Sequence, residues 1–442
     1  MDDSAPISID RKQFLTLAGG SAVAAALGGA SQAEAIPRRQ RLSVAPLSEI
    51  EREHRRRLGS PQVDVLQMVG LKMVYGERTG GRVRDAHSGR WYWDCHRLGS
   101  TYNLGHRHPR VLSALRDAVD QLDLGNFMLL SGERTRTAAK LAATTAEELP
   151  RTVFTVSGAE ANEVAMKAAR CFTKRRRFIC FDGGYHGDTM MTLAVGGDDD
   201  KIAAYQLQSP DIIRIPFNDL AAARAAIDGT VAALIGEPTV AQLGFPEPVP
   251  GYWSALADHC RSVGALTILD EVQTGGSATG SFWHYQQLGF TPDILVSGKW
   301  PSGGYFPNSF ALMRGDIHDA LTAGVFMPHP STFGGSDIGS VVTSTVIDLL
   351  ADPALQARVR SLSARFAAGF AGTPFTLNRN GLCMALIDTR RSNFESVALL
   401  AGEGVLTVPA LHHPHAVEFR PILTIGDDEA DAIIAAVLKA MA

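Results

Sequence analysis

The sequence predicts an α/β protein whose large domain is built on a mainly parallel sheet flanked by helices. Between about residues 135 and 330, short continuous apolar runs alternate with helical periods, which is typical of strands that helices bury on both faces. After residue 336, longer helical periods and short strands predict a second, smaller α+β domain. The 442 residues are 45% hydrophobic with a net charge of −4, a composition that allows a large core and gives no reason to expect a nucleic-acid partner.

The first 35 residues have the layout of an export signal. Arg11 and Lys12 precede a Gly/Ala-rich apolar run, and Ala33-Glu34-Ala35 matches a small-residue cleavage site. The arrangement resembles a twin-arginine signal with Arg-Lys in place of Arg-Arg. We therefore expect export to the periplasm or the exterior, and no membrane span in the mature form because the run is short and rich in glycine. The alternative is an N-terminal extension on a cytoplasmic protein.

The next segment is predicted to contribute to the small domain. A charged helix at 47–58 is followed by short apolar pieces and glycine turns that are typical of hairpins. His96, His106 and His108 have no carboxylate or cysteine at ligand spacing, so we expect a turn there and no metal site. The predicted boundaries are 1–35 for the export signal, 36–100 and 336–442 for the two segments of the small domain, and 101–335 for the large domain.

Five predicted strands each end in polar or glycine-rich residues. In open parallel sheets, ligands bind at the carboxyl ends of the strands, so these residues together predict a binding site. The strands are Val153–Val156 before Ser157, Phe178–Phe181 before Asp182, Val231–Ile235 before Glu237, Ala265–Leu269 before Asp270, and Ile294–Val296 before Lys299.

Lys299 and Asp270 are the candidate catalytic residues. Lys299 lies between a buried strand and a Gly/Pro-rich loop, and an amine in apolar surroundings loses pKa and can form a Schiff base with a carbonyl cofactor. When this segment is considered alone, a solvated lysine is more common at a strand end than a catalytic one. Asp270, at the end of an apolar strand, is placed to keep a pyridine ring nitrogen protonated. The alternative role for Asp270 is to cap a helix or a turn.

Two further features suit a cofactor with a phosphate and a flat ring. Ser157-Gly158-Ala159 opens a helix whose free N–H groups can bind phosphate, and an ordinary capping box with Glu160 is compatible with that reading. Tyr185 lies in a glycine-rich turn and can stack on a ring, with a core tyrosine as the alternative.

An ordered set of motifs across residues 65 to 435 resembles the class III aminotransferases, which are pyridoxal-phosphate enzymes of fold type I. The resemblance implies a seven-stranded sheet, pyridoxal 5′-phosphate as the cofactor, a homodimer, and a small-molecule amino donor and carbonyl acceptor. The motifs are Leu104–Pro109, Ser157–Glu163, Gly184–Gly187, Glu237-Pro238, Leu269–Gly275, Gly298-Lys299 and Ser331–Gly335.

The same resemblance implies a role for each motif residue. Lys299 would form the Schiff base and carry the proton between substrate and cofactor. The other implied cofactor contacts are Asp270 at the ring nitrogen, Val272 on the ring face opposite Tyr185, Gln273 at the ring hydroxyl, Gly158 and Ala159 at the phosphate, Thr332 at the phosphate of the neighbouring subunit, and Ser157, His186 and Glu237 around them. Ala159 departs from the hydroxyl residue often found there, which removes a hydrogen bond of about 1–2 kcal/mol.

Two positions depart from the family pattern on the substrate side. Glu418 stands where many members have an arginine that grips a substrate carboxylate, and Gln242 stands where they have that arginine's glutamate partner. A carboxylate cannot bind a carboxylate as arginine does, although a two-residue offset would give the role to Arg420. The hypothesis is a substrate that carries a second ammonium or lacks an α-carboxylate.

Three alternatives to transamination differ in what they require of the sequence. The loop at Glu237 also resembles the glutamate-semialdehyde aminomutase branch, which makes aminomutation the second candidate reaction. Aminomutation and racemisation both share their first proton abstraction with transamination. A catalytically silent binding protein would not require both Lys299 and Asp270. A nicotinamide enzyme is disfavoured, because no Gly-x-Gly-x-x-Gly follows the first strand.

Overall fold

The computed structural model describes residues 45–124, 129–325 and 327–442, and the strands in these ranges form three sheets. The predicted strands are present, with ends that differ by one or two residues. The strands are β1 Tyr75–Thr79, β2 Arg82–Asp85, β3 Trp91–Asp94, β4 Arg151–Thr155, β5 Arg177–Phe181, β6 Ile212–Ile215, β7 Val231–Gly236, β8 Leu266–Asp270, β9 Ile294–Ser297, β10 Ser309–Met313, β11 Thr376–Asn380, β12 Cys383–Ile387, β13 Val405–Leu406, β14 Val408–Pro409 and β15 Ala416–Phe419.

The largest sheet has seven strands in the order β4-β10-β9-β8-β7-β5-β6. All neighbouring pairs are parallel except those of β10, which is antiparallel to both β4 and β9. Every residue of β7, β8 and β9 is buried, as expected for strands covered on both faces. The prediction of an α/β fold with a mainly parallel sheet is confirmed. Strands β6 and β10 were not predicted.

Helices cover this sheet and build the smaller lobe. Helix α5, which follows β4, packs against β4, β7, β8, β9 and β10 and so lies across the middle of the sheet. The helices are α1 Leu47–Arg57, α2 Pro61–Met68, α3 Pro109–Val119, α4 Gly132–Thr144, α5 Gly158–Thr173, α6 Met190–Ala194, α7 Asp199–Ala204, α8 Leu220–Ala226, α9 Tyr252–Val263, α10 Gly315–Thr322, α11 Asp337–Leu350, α12 Pro353–Gly369, α13 Asn393–Gly402 and α14 Asp427–Met441, with short helical segments at Arg97–Ser100, Ala241–Leu243, His284–Gln287 and Trp300–Ser302.

Segments from both ends of the described chain meet in one of the two smaller sheets. Strands β1, β2 and β3 form a meander that β13 extends in parallel, with Val405 opposite Trp93. Strands β11, β12, β15 and β14 form the third sheet. The boundaries at 36–100, 101–335 and 336–442 stay predictions, and the export signal predicted for 1–35 lies outside the described residues.

The described helices were also compared with the length and hydropathy of a membrane span. None of them meets both requirements alone. The pair Asp337–Leu350 and Pro353–Gly369, bent by 64°, meets them only when taken together.

Candidate active site

The carboxyl ends of the central strands meet at a cavity of about 510 Å³. Ten of the eleven residues predicted for the site line it, and the exception is Thr332. The ten are Ser157, Gly158, Ala159, Tyr185, His186, Glu237, Asp270, Val272, Gln273 and Lys299.

Lys299 follows β9 with an unusual backbone conformation. Its φ of +62° is rare for a residue with a side chain, and it turns the chain sharply out of the strand. Gly298 allows this turn to lie against the start of α5, since a Cβ there would be 3.2 Å from the Gly158 nitrogen. Burial, with the nearby positive charge of Arg420 as the next cause, lowers the pKa of Lys299. A larger fraction of the amine is therefore unprotonated at neutral pH than in a solvated lysine.

Asp270 ends β8 and is held by three hydrogen bonds. Its Oδ2 accepts from Asn162 Nδ2 and from His186 Nδ1, both at 2.8 Å, and its Oδ1 accepts from the Val272 amide at 3.0 Å. The side chain is buried, with 4% of its surface exposed. These donors fix the direction in which the carboxylate faces the cavity.

The N-terminus of α5 supplies an anion cradle. Ser157 caps this 16-residue helix and accepts from the Glu160 amide at 3.2 Å, while the Glu160 carboxylate accepts from the Val156 amide at 2.8 Å. Among the described residues, the Gly158 and Ala159 amides have no acceptor. A Cβ at Gly158 would lie 2.9 Å from Val272, so glycine keeps this approach open. Free amides at the start of a long helix are suited to a phosphate.

Tyr185 and Glu237 are linked at the cavity wall. The Tyr185 hydroxyl donates to Asp188 at 2.8 Å, and its amide donates to Glu237 Oε1 at 3.2 Å. Burial, with a smaller contribution from the charge of Asp270, raises the pKa of Glu237 to about 7. Tyr185 is 39% exposed and lines the cavity, so its aromatic ring is available to a ligand there.

A polar cluster lies on the substrate side of Gln273. Arg420 donates to Gln273 Oε1 and forms an ion pair with Glu418, and both charged side chains are buried. Gln242 Nε2 donates to Glu418 Oε1 at 3.2 Å. Because Arg420 occupies Gln273 Oε1, the Gln273 amide nitrogen is the group left to face the cavity. The two candidate positions for a carboxylate-binding residue, Glu418 and Arg420, therefore lie in one site and neutralise each other.

Thr332 is exposed in the described chain and lies outside this cavity. Within the described ranges, no hydrogen bond to its hydroxyl is present. The position neither supports nor contradicts a role in a neighbouring subunit, which stays a prediction.

Three contacts of the site were not predicted, although Asn162 stood inside a recognised motif and Arg420 had been named as a candidate for binding a substrate carboxylate. Asn162 holds Asp270, Arg420 holds Gln273, and a Cβ on Gly99 would lie 3.1 Å from the Lys299 Nζ. Asn162 follows the recognised start of α5, and helical periodicity from Gly158 could have placed it on the cavity side. No group of three or more metal-ligating side chains occurs in the part of the chain that the structure describes.

A lysine of lowered pKa, an oriented buried carboxylate and free helix amides around one cavity fit pyridoxal 5′-phosphate. They define a pyridoxal-phosphate enzyme of fold type I. The family model of the class-III aminotransferases matches residues 66–441, and the chain belongs to this family. The protein is therefore a pyridoxal-phosphate-dependent transaminase, acting on an amino donor and a keto-acid acceptor.

Individual relatives agree with this assignment. An uncharacterized aminotransferase of Archaeoglobus fulgidus is 33% identical over 83% of this chain and 87% of its own length. The acetylornithine aminotransferase of Vibrio cholerae is 32% identical over 77% of this chain and 86% of its own. The ornithine aminotransferase structure from Toxoplasma gondii has a TM-score of 0.83 at 26% identity, covering 90% of this chain and 96% of that one. These matches do not bear on the aminomutase resemblance, which stays a prediction.

Proposed function

We propose that Lys299 is the catalytic base and the attachment point for the cofactor. Pyridoxal 5′-phosphate supplies an aldehyde that condenses with amines and a protonated ring that withdraws electrons from the carbon bearing the amine. Lys299 Nζ would take the proton from that substrate carbon and then give it to the cofactor carbon that carried the aldehyde. The observation that carries this proposal is that Lys299 and Asp270 line the same cavity, where burial also lowers the pKa of Lys299.

The surrounding residues hold and orient the cofactor. Asp270, fixed by Asn162 and His186, keeps the ring nitrogen protonated. The Gly158 and Ala159 amides bind the phosphate, with Ser157 capping their helix.

Four more cavity residues complete this arrangement. Tyr185 and Val272 pack on the ring, and Gln273 donates from Nε2 to the ring hydroxyl. Glu237 orients Tyr185 through the Tyr185 amide. Burial raises the pKa of its carboxyl group to about 7, so Glu237 binds a proton more readily than an exposed glutamate does.

The donor is a primary amine or amino acid, and the acceptor is a keto acid or aldehyde. Purified holoenzyme should absorb in the visible range as a yellow protein, and this absorbance should bleach when a competent donor is added. The keto or aldehyde product should appear in equal amount. A panel of amines and amino acids, including the N-acetylornithine and ornithine for which relatives are named, identifies the donor class. Retention of the yellow absorbance with every donor, without carbonyl product, would contradict the proposal.

We propose further that the active unit is a homodimer in which Thr332 contacts the phosphate of the neighbouring site. In support, Thr332 is exposed. The apolar side chains of Phe333, Leu129 and Leu130 are exposed as well, and exposed apolar side chains are typical of a surface that an interface buries.

Mixing two inactive variants tests this arrangement. Subunits with Lys299→Ala and subunits with Thr332→Val are unfolded together, mixed in equal amounts and refolded. A contact across the interface restores about one quarter of the wild-type sites, because half of the dimers are mixed and each has one intact site. No recovery, with dimers confirmed by light scattering, would place Thr332 in its own subunit's site, and full activity of Thr332→Val alone would place it outside both sites.

The N-terminal segment supports a third proposal, that the protein is exported in folded form. The basis is the Arg11-Lys12 pair, the apolar run and the Ala33-Glu34-Ala35 pattern. Edman sequencing of protein from the periplasmic fraction should begin at Ile36. Full-length protein confined to the cytoplasm would contradict the proposal.

A further inference from the structure

The segment that carries Thr332, residues 327–335, is exposed in its middle and held at both ends. Thr332 and Phe333 are exposed, whereas Gly334 and Gly335 are buried. The proposed function assigns Thr332 to the phosphate of the neighbouring site, so the position of this segment decides how well that contact forms. A role for the 327–335 segment therefore rests on the proposed homodimer.

His329 ties the first end of the segment to α5. Its Nδ1 lies 3.0 Å from Lys167 Nζ, and its Nε2 lies 2.9 Å from Glu160 Oε1. An ammonium group has only donors, so Nδ1 accepts from Lys167, and Nε2 carries the hydrogen that it donates to Glu160. Pro328 and Pro330 restrict the backbone on both sides of the ring. Both ring nitrogens are therefore used, and two contacts to one helix fix the direction of the side chain.

Glu160 joins this anchor to the phosphate cradle of the same subunit. It is the third residue of α5, and its Oε2 accepts from the Val156 amide at 2.8 Å, directly before Ser157. Burial raises the pKa of Glu160, but hydrogen bonds from the Val156 amide, His329 and Ser331 outweigh that effect and lower this pKa. Glu160 is therefore an anion at neutral pH, which strengthens the hydrogen bond that His329 donates to it.

Two glycines hold the other end of the segment against β4. A Cβ on Gly334 would lie 2.7 Å from the Phe154 carbonyl oxygen, and a Cβ on Gly335 would lie 2.8 Å from the Phe154 ring. Any larger residue at these positions would push the segment away from the strand. The segment is therefore fixed at His329 and at Gly334, and it presents the residues between them to the exterior of the subunit.

We propose that His329 is a positioning residue for the cofactor of the neighbouring subunit. It fixes the 327–335 segment on the helix whose start binds the phosphate of its own subunit, and the segment presents Thr332 to the phosphate of the other. Thr332 is the cofactor contact, and His329 acts through it. A segment that is already fixed loses little conformational freedom when Thr332 binds the phosphate, so this anchor tightens cofactor binding. Each phosphate cradle is thereby joined, through Glu160 and His329, to the residue that completes the second site.

Two mixed dimers that contain the same two substitutions test this role. In the first, one subunit carries both Lys299→Ala and His329→Ala, and the other is wild type. In the second, one subunit carries Lys299→Ala and the other carries His329→Ala. Each dimer is isolated with two different affinity tags, incubated with increasing concentrations of pyridoxal 5′-phosphate and reduced with sodium borohydride. Mass spectrometry then measures the cofactor attached to the single remaining Lys299.

We expect the first dimer to require at least about fivefold more cofactor for half-maximal labelling, because its working site receives Thr332 from the subunit without His329. The second dimer should match a reference dimer in which Lys299→Ala in one subunit is the sole change. Equal labelling of the two dimers, weakened or not, would overturn the inference and leave the transaminase assignment intact. The reverse order would contradict the proposed contact across the interface, and no labelling even in the reference dimer would contradict attachment at Lys299.

Gly334→Ala gives an independent form of the same test. The added methyl group would lie 2.7 Å from the Phe154 carbonyl oxygen, so the other end of the segment must shift. Used in place of His329→Ala, it should give the same order of the two dimers. The matched control is His87→Ala, which replaces an exposed histidine in the turn after β2 and should leave labelling unchanged in both arrangements. If His329→Ala does not fold, Gly334→Ala decides the question, and equal labelling of its two dimers would overturn the proposal.

Discussion

Replacing Arg420 with methionine should destabilise the protein strongly, because Arg420 compensates a buried carboxylate. Arg420 is 1% exposed and Glu418 is 2% exposed, so water cannot take over the role of the lost partner. Removing one partner of a buried ion pair typically costs about 3–5 kcal/mol, which corresponds to a Tm decrease of about 4–6 °C for a unit of this size. The guanidinium also lies over the Phe245 ring at 5.5 Å and holds Gln273, and methionine retains part of that packing.

The double variant Glu418→Gln with Arg420→Met separates charge from packing. Removing the stranded carboxylate should recover at least half of the lost Tm, so the double variant is more stable than Arg420→Met alone. The matched control is Arg365→Met, which breaks an exposed pair with Asp431 at 2.6 Å and should change the stability by less than about 1 kcal/mol. Scanning calorimetry of the holoenzymes measures all three. A double variant less stable than Arg420→Met would refute the reasoning, since it would mean that Glu418 is not held as an anion by Arg420.

Three further substitutions test individual contacts. Asp270→Asn removes the charge that faces the ring nitrogen and should lower kcat by at least about 100-fold, whereas a loss below tenfold in steady-state assays would contradict that role. Gly99→Ala places a methyl group 3.1 Å from the Lys299 Nζ at a φ of +61°, and it should reduce the bound cofactor per subunit, measured by absorbance; full occupancy would contradict the close approach. Burial raises the pKa of Glu271 to about 7 from 4.5, so the folded state retains this proton and loses stability as the pH rises from about 4.5 to 7. In Glu271→Gln, the decrease in unfolding free energy between pH 5 and pH 8 should be smaller by up to about 3 kcal/mol, and an unchanged decrease would show that Glu271 does not titrate in this range.

The positions of Lys299 and Asp270 could be predicted because each follows a continuous apolar strand, and strand ends meet at one edge of a parallel sheet. β10 was missed because it follows the Gly/Pro-rich loop after Lys299 and runs antiparallel, against the alternating pattern. The link from Arg420 to Gln273 joins residues 147 positions apart, and local patterns contain no signal for such a contact. The sequence did identify Glu418 and Arg420 as competing candidates, but only the fold shows that they form a pair.

The fate of Lys299 tests the central claim most directly. Holoenzyme is reduced with sodium borohydride, digested and analysed by mass spectrometry for the peptide that carries the cofactor. The reduced cofactor should be found on Lys299, at one per subunit, and Lys299→Ala should retain none after reduction. Cofactor attached to another lysine, with Lys299 unmodified in active enzyme, would contradict the account.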